Sequence, residues 1–395
     1  MQDVSRVGFL ELTNNHGHQE LLTRYLRIAA HGDGQPTLFT TEVGMEKVDE
    51  NVPTDDIETV VGEPSREFFD RIERRCKRDL DVLFINTIEG TIGDYVKYLR
   101  FNPDCATVLW PHNARAWFER QLVFSTGGGL TTTISTNCKN IFRPPILKRM
   151  DGILVPFEQS RRHIESTYTL SQSIHALSPS VYDPVETDEG ANSGTTSAAT
   201  DDGPVRVTIP GSIVDRRDYD VVLDAFGTEL LPTFGDDIRL TLLGRPQGDY
   251  GERIVERAAD LADRGYDVQY FTEWIETDTY AEVFQGSDLL LNPISKDEGE
   301  RAERWGLTWN SGVLFDVLMH PCPMILPDRY SIPDELDGAA LSYSNGADLA
   351  TTVAAIVESS DRQNELATAA VKNAEQCTVD RQFQRFSRIV DAHTS

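Results

Sequence analysis

Short apolar runs that do not alternate with polar residues recur along this chain, with amphipathic stretches between them. That pairing limits the fold more than any other feature of the sequence. In the first half the runs fall at residues 7–10 (VGFL), 36–40, 81–85 (DVLFI), 107–110 (TVLW) and 152–155 (GILV). In the second half they fall at 205–209, 238–243 (IRLTLL), 268–271, 288–292 (DLLLN) and 324–326. A run of this kind reads as a strand buried on both faces. Between the runs, Leu21, Leu22, Tyr25, Leu26 and Ala29 mark one face of a helix over 20–30. Comparable patterns predict helices over 65–78, 92–101, 160–168, 219–226, 251–264, 278–285 and 311–319. Strand–helix alternation of this type means parallel sheets covered by helices on both sides.

One segment interrupts the pattern. Residues 183–204 (DPVETDEGANSGTTSAATDDGP) have no apolar period and are built from Gly, Ser, Thr, Asp and Pro, so they read as a flexible acidic linker or a long exposed loop. A chain of 395 residues suits two domains rather than one core. The expected fold class is α/β: two doubly wound, parallel-sheet, Rossmann-like domains facing a cleft, over residues 1–182 and 205–377. Ligands in such sheets bind beyond the carboxyl ends of the strands, so the loops there are where chemistry is to be sought.

Charge says more about surroundings than about chemistry. Asp and Glu total 64 against 37 Lys and Arg, a net charge of −27, and lysine is scarce at seven residues against thirty arginines. The acid is spread along both halves, which argues against a nucleic-acid partner and for a chain adapted to a high-salt cytoplasm. At molar salt the Debye length falls to about 3 Å and self-repulsion is screened. No basic stretch leading into an apolar one opens the chain, and no apolar run is long enough to span a membrane. The expected location is therefore cytoplasmic, with peripheral membrane contact left open. The cysteines Cys76, Cys105, Cys138, Cys322 and Cys377 lack metal-ligand spacing, and no metal site is expected.

In the first domain, Asn15, His16, Gly17 and His18 form a small polar loop between a strand and a helix. They read either as ordinary loop residues or as the lining of an acceptor pocket. His112 and Asn113, at the end of the 107–110 strand, carry the same two readings. Gly127, Gly128 and Gly129 read as a mobile loop. No G-x-G-x-x-G is present, which argues against a dinucleotide cofactor.

The second domain is more specific. Gly211 at a strand end lets a ligand approach the backbone, and Arg216 and Arg217 precede a helix. Arginine forks match phosphate oxygens, although a surface salt bridge is the plainer reading. Gly244 and Arg245 end another strand. Thr272 and Trp274 follow a third, where an aromatic ring frames a nucleobase or fills the core. Asn292 ends a fourth, ahead of a polar loop with Lys296, Glu298, Glu300 and Glu303. Ser311 is expected as an N-cap, with Gly312 leaving the first helical amides open to an anionic diphosphate and Asp316 one turn deeper.

This order of segments resembles the GT-B glycosyltransferases, and among them the retaining family typified by sucrose synthases, glycogen synthase and bacterial glycan mannosyltransferases. The segment 151–156 with Ser160, Arg161 and Arg162 is similar to that family's approach to its interdomain crossing. Gly211 through Arg217 is similar to its phosphate-binding segment, and residues 380–392 to the C-terminal helix that returns to the first domain. The family carries two glutamates separated by seven residues. Asp316 stands at the second position, Thr308 at the first, and Pro321 replaces the glycine of the following turn.

The resemblance implies transfer of a hexosyl group from a nucleoside diphosphate sugar to a glycan, lipid-linked or small-molecule acceptor. It further implies retention at the anomeric carbon and no cofactor or metal beyond the donor itself. Catalytic roles would fall to His112, Arg217 and Asp316. A nucleotide-sugar epimerase of the same fold and a non-catalytic sugar- or nucleotide-binding descendant stay open as alternatives.

Overall fold

A computed structural model describes residues 6–13, 16–32, 34–49, 56–119, 129–184, 203–294 and 305–394. The chain forms two compact units. One comprises Met1–Val181, Leu307–Asn310 and Thr378–Ser395; the other comprises Tyr182–Gly306 and Ser311–Cys377. Of the linker expected at 183–204, residues 185–202 lie outside the described residues, as do Asn15, Gly127, Gly128, Lys296, Glu298, Glu300 and Glu303.

The first unit holds a seven-stranded sheet: β1 (Val7–Glu11), β2 (Thr37–Thr40), β3 (Glu58–Val61), β4 (Val82–Ile85), β5 (Ala106–Leu109), β6 (Gly152–Val155) and β7 (Ser173–Ala176). The second unit holds β8 (Val205–Pro210), β9 (Ile238–Leu243), β10 (Val268–Tyr270), β11 (Leu289–Leu291), β12 (Met324–Pro327) and β13 (Ala340–Tyr343). The strand orders are β3-β2-β1-β4-β5-β6-β7 and β10-β9-β8-β11-β12-β13, with every pairing parallel. Each order reverses once, between β1 and β4 and between β8 and β11. Such a reversal opens a crevice at the carboxyl ends of those two strands.

The central strands are apolar because helices cover both their faces: every residue of β1, β2, β4, β6, β11 and β12 is buried. Three of the four edge strands, β3, β7 and β13, are half-solvated and carry mixed sequences (ETVV, SIHA and ALSY), so no apolar run announces them. A long helix, Gly129–Leu147, also departs from the sequence reading, beginning where a mobile loop was expected at Gly129. Among the described residues no helix is long and apolar enough to cross a membrane.

The C-terminal helix Val379–Thr394 belongs to the first unit and completes its core. Phe386 is fully buried against Phe9 and Phe84, with ring centroids 6.1 and 5.2 Å away. Burying a phenylalanine side chain contributes about 2–3 kcal/mol. Gln382, also fully buried, donates through Nε2 to the carbonyls of Ser178 and Ser180, both at 2.9 Å. Residues Leu307–Asn310, which the sequence pattern assigned to the second half, sit with the first unit. There the Ala114 amide donates to the Thr308 carbonyl at 3.0 Å, and Asn113 bridges Trp309.

Candidate functional site

In the second unit, β8 ends at Pro210 and the chain turns at Gly211, whose φ of 92° favours glycine. The loop then returns to place Arg217 beneath the turn. Arg217 is 8% exposed, and its Nη1 donates to the Pro210 carbonyl. A Cβ at Gly211 would stand 2.7 Å from Arg217 Nη2, so the missing side chain is what admits the guanidinium. The loop is held on several sides. Tyr219 Oη donates to the Gly211 carbonyl at 3.2 Å, and Tyr250 Oη donates to the Arg217 carbonyl at 2.8 Å. Residue 217 bridges Ile294, and the Asp218 amide donates to the Pro293 carbonyl at 2.8 Å. Asp218 in turn caps the helix Tyr219–Ala225, its Oδ1 accepting from the Val221 amide at 3.2 Å.

Charge sets this loop apart. Arg206 forks onto Asp288 at 2.9 Å, Arg253 lies 2.7 Å from Asp220, and Arg257 is paired with Asp220 and Asp224. Arg216, Arg217 and Arg245 have no carboxylate within ion-pair distance among the described residues. Charged groups this buried are normally paired, so Arg217 presents a positive charge without a counter-ion among the described residues.

Asn292 adds a second irregularity. Register pairs Leu290 with Thr208, which sets Asn292 level with Pro210 on the neighbouring strand. Asn292 is fully buried, yet neither its Oδ1 nor its Nδ2 has a hydrogen-bond partner among the described residues. A buried amide in this state loses on the order of 1–3 kcal/mol until something pairs with it.

Gly244 has a packing role rather than a ligand-facing one. A Cβ there would fall 2.1 Å from the Gly211 carbonyl oxygen, where the loops after β8 and β9 run together and Ile213 donates to Arg245 at 3.0 Å. Gly244→Ala is expected to cost about 3 kcal/mol or more through overpacking against backbone. Urea unfolding of the ligand-free chain measures it, and an unchanged midpoint would refute the close approach.

Other expected donor residues fare differently. Trp274 is not core: it is 69% exposed, with the Arg245 guanidinium 5.7 Å from its ring centre. Thr272 is exposed beside it. Ser311 is not an N-cap. The helix is Val313–Met319, Gly312 holds the cap position with helical dihedrals, and no side chain caps it. The Ser311 amide donates instead to Tyr330 Oη at 3.3 Å. The amides of Leu314 and Phe315 turn back onto the Ser311 and Gly312 carbonyls at 3.1 and 2.8 Å, so fewer amides stay open than expected. Asp316 lies half-buried on this short helix.

In the first unit, the equivalent strand ends bring together residues that the pattern did not single out. Glu11 closes β1 and Asn86 follows β4, level with each other by register. Both are buried. Asn86 Nδ2 donates to Glu11 Oε2, and the Thr13 amide donates to Oε1 at 2.6 Å. Burial pushes the Glu11 carboxyl up to about 7, with the Glu89 charge adding to the rise, against the lowering by the Thr13 and Asn86 hydrogen bonds. Beside it lies a cavity of about 310 Å³ lined by residues including Leu12, Thr13, Phe69, Glu89, Asp94 and Tyr98. A carboxylate directly after an all-apolar strand was the signal available in the sequence.

The expected acceptor residues are dispersed. His16, Gly17 and His18 are not loop residues but the first turn of the helix His16–Ala30. His112 stacks on Trp110, ring centroids 4.5 Å apart. Asn113 is the N-cap of Ala114–Phe118, its Oδ1 accepting from the Ala116 amide at 3.1 Å, so that oxygen is already occupied.

No protein-family model matches this chain. No curated protein matches it in sequence. Solved structures do match it over nearly their whole length. One is HepE from Anabaena in complex with UDP-glucose, 10% identical, with 98% of this chain and 99% of that one covered at a TM-score of 0.63. Another is sucrose-phosphate synthase from Thermosynechococcus elongatus, 11% identical, with 98% of each chain covered and a TM-score of 0.60. A third is trehalose-6-phosphate synthase, studied with bisubstrate glycomimetics of glycosyltransfer with retention. It is 11% identical, with 98% and 99% covered and a TM-score of 0.61. At such identities the likeness is one of fold. The chain has the GT-B architecture.

Proposed function

We propose that this chain transfers a hexosyl group from a nucleoside diphosphate sugar to a sugar-bearing or small-molecule acceptor, with retention and without a metal, in a salt-rich cytoplasm. The observation that carries this reading is the buried Arg217 guanidinium at the strand reversal of the second sheet, with no carboxylate paired to it among the described residues and Arg216 exposed beside it.

Cleaving the bond between the anomeric carbon and the diphosphate leaves negative charge on the departing oxygens. Fixed positive groups aimed at that charge lower the barrier. Arg217, held by Pro210 and Gly211, is pre-organised for this work, and Arg216 and Arg245 add charge at the same loops. Two guanidinium forks on the diphosphate supply the neutralisation that a divalent cation would otherwise bring. In a retaining transfer the acceptor oxygen bonds to the face the diphosphate leaves, and its proton passes to a leaving phosphate oxygen, so no protein base is required. Trp274, exposed with Arg245 against it, offers a stacking face for the nucleobase. Asn292 gains partners from donor hydroxyls or phosphate oxygens, and Asp316 from sugar hydroxyls. His112 stands on the acceptor side. HepE, bound to UDP-glucose, and the retaining trehalose-6-phosphate synthase lend support by likeness of fold.

A thermal-shift panel of UDP-, GDP- and ADP-sugars in multimolar KCl tests the reading. One nucleotide series is expected to raise Tm, and the anomer of the product, followed by NMR, to match that of the donor. Asn292→Leu is expected to stabilise the ligand-free chain by about 1–2 kcal/mol and to weaken that donor at least about 10-fold. A panel without any shift would sink the donor assignment. Binding without turnover would favour a non-catalytic descendant.

A further inference from the structure

Away from the strand-end loops, the first unit brings together two histidines that are 218 positions apart. His175 lies on the edge strand β7, and His393 in the last turn of the C-terminal helix. Their Nε2 atoms face each other at 3.0 Å, with ring planes 69° apart. Ser173, two residues before His175 and on the same face of the strand, has its Oγ 3.1 Å from His175 Nε2 and 3.4 Å from His393 Nε2.

The neighbouring strand leaves room for this cluster. Gly152 of β6 pairs in register with Ser173, and a Cβ there would stand 2.6 Å from His393 Nε2. Only glycine at this position lets the helix bring its imidazole against the sheet. Partial burial keeps both rings neutral, His175 down at about 4 and His393 also below the ordinary range. Arg161 and the His393 ring deepen the fall at His175, whereas Glu165 opposes it; Asp151 opposes the fall at His393.

Two facing Nε2 atoms this close share at most one proton, so at least one lone pair points into the gap. A cation that replaces the shared proton satisfies both. We propose that His175 and His393 are the two imidazole ligands of a first-row transition-metal site, taking Zn²⁺ or Ni²⁺ between their Nε2 atoms with the Ser173 hydroxyl at its edge. Imidazole is a favoured ligand for these ions. With metal–nitrogen bonds of about 2.0–2.1 Å at a tetrahedral angle, the two nitrogens stand about 3.3 Å apart. A parting of the rings by a few tenths of an ångström therefore admits the ion. The ring that donated the shared proton carries it on Nδ1 instead, as the other ring already does, so binding releases none at neutral pH. The bound ion pins the end of the chain to the edge of the first sheet. This proposal is independent of the donor site.

The test is calorimetric titration of the EDTA-treated, dialysed full chain with ZnCl₂ at pH 7.5, followed by a melt with and without the metal. One ion per chain and a raised Tm are expected. His393→Ala sits in the final helical turn and should fold, which its metal-free melt checks; it is expected to lose Zn²⁺ affinity at least about 10-fold. His175→Asn, a second and smaller change on the strand, is expected to do the same. Cu²⁺ as a spectroscopic probe should show two equivalent nitrogens in the wild-type chain and one in either variant. Absence of a one-to-one site, or unchanged affinity in both variants, would overturn the proposal.

Discussion

Arg217→Ala is expected to lower kcat/KM for the nucleoside diphosphate sugar by about 100-fold, against about 10-fold for Arg217→Lys. A charge-assisted hydrogen bond is worth about 1.5–3 kcal/mol, and one aimed at a developing charge in a water-poor site lies at the upper end. Lysine keeps the charge but loses the fork, and with it the hold on the Pro210 carbonyl. Because the guanidinium also buttresses Gly211, the ligand-free melting temperature separates loss of fold from loss of contact. Arg216→Ala, on the exposed neighbour, should cost less. Steady-state kinetics in high KCl measure all three. An Arg217→Ala chain that folds and turns over as the wild type does would remove the carrying observation from the proposed function.

Glu11→Gln should remove the loss of stability that Glu11 causes as pH rises from about 4.5 to about 7. Glu11 titrates near 7 in the folded chain against an ordinary value of 4.5, so between those limits the folded state binds more protons than the unfolded one. Stability therefore falls as pH rises through that window and is fully reduced above about 7, by about 3 kcal/mol at most. Glutamine removes the ionisation but leaves one of the donors on Thr13 or Asn86 without its acceptor, at about 1 kcal/mol. The variant should be slightly less stable than wild type at pH 4.5 and about 2 kcal/mol more stable at pH 8. Urea unfolding at the two pH values, at one salt concentration, gives the answer. Parallel curves would show that Glu11 is not held protonated by its surroundings.

What could be read from the sequence follows from what each residue's partners are. Ile238–Leu243 and Gly152–Val155 were legible to the residue, since strands covered on both faces are predominantly apolar. Three of the four edge strands, β3, β7 and β13, were not, because polar residues at their water-facing positions break up the apolar run; the fourth, β10, was read from 268–271. Gly211, Arg217 and Asn292 were legible as strand-end residues of a parallel sheet, although nothing local revealed that, among the described residues, Arg217 is buried without a carboxylate and Asn292 lacks partners. Ser311 misled for a tertiary reason: Tyr330, nineteen residues on, takes its amide. Glu11 went unremarked because burial, which gives it its properties, is decided by helices far along the chain. The pairing of His175 with His393 is beyond any local pattern.

The C-terminal helix has a consequence for how the molecule is made. Phe386 packs against Phe9 and Phe84, so β1 and β4 wait for a helix that follows the whole second sheet in the sequence. The second unit makes no such demand: its core cluster runs no further than Leu366, ahead of that helix. On a ribosome that adds residues in order, the half synthesised second completes its core first. The half synthesised first holds an open apolar face until the helix Val379–Thr394 has followed.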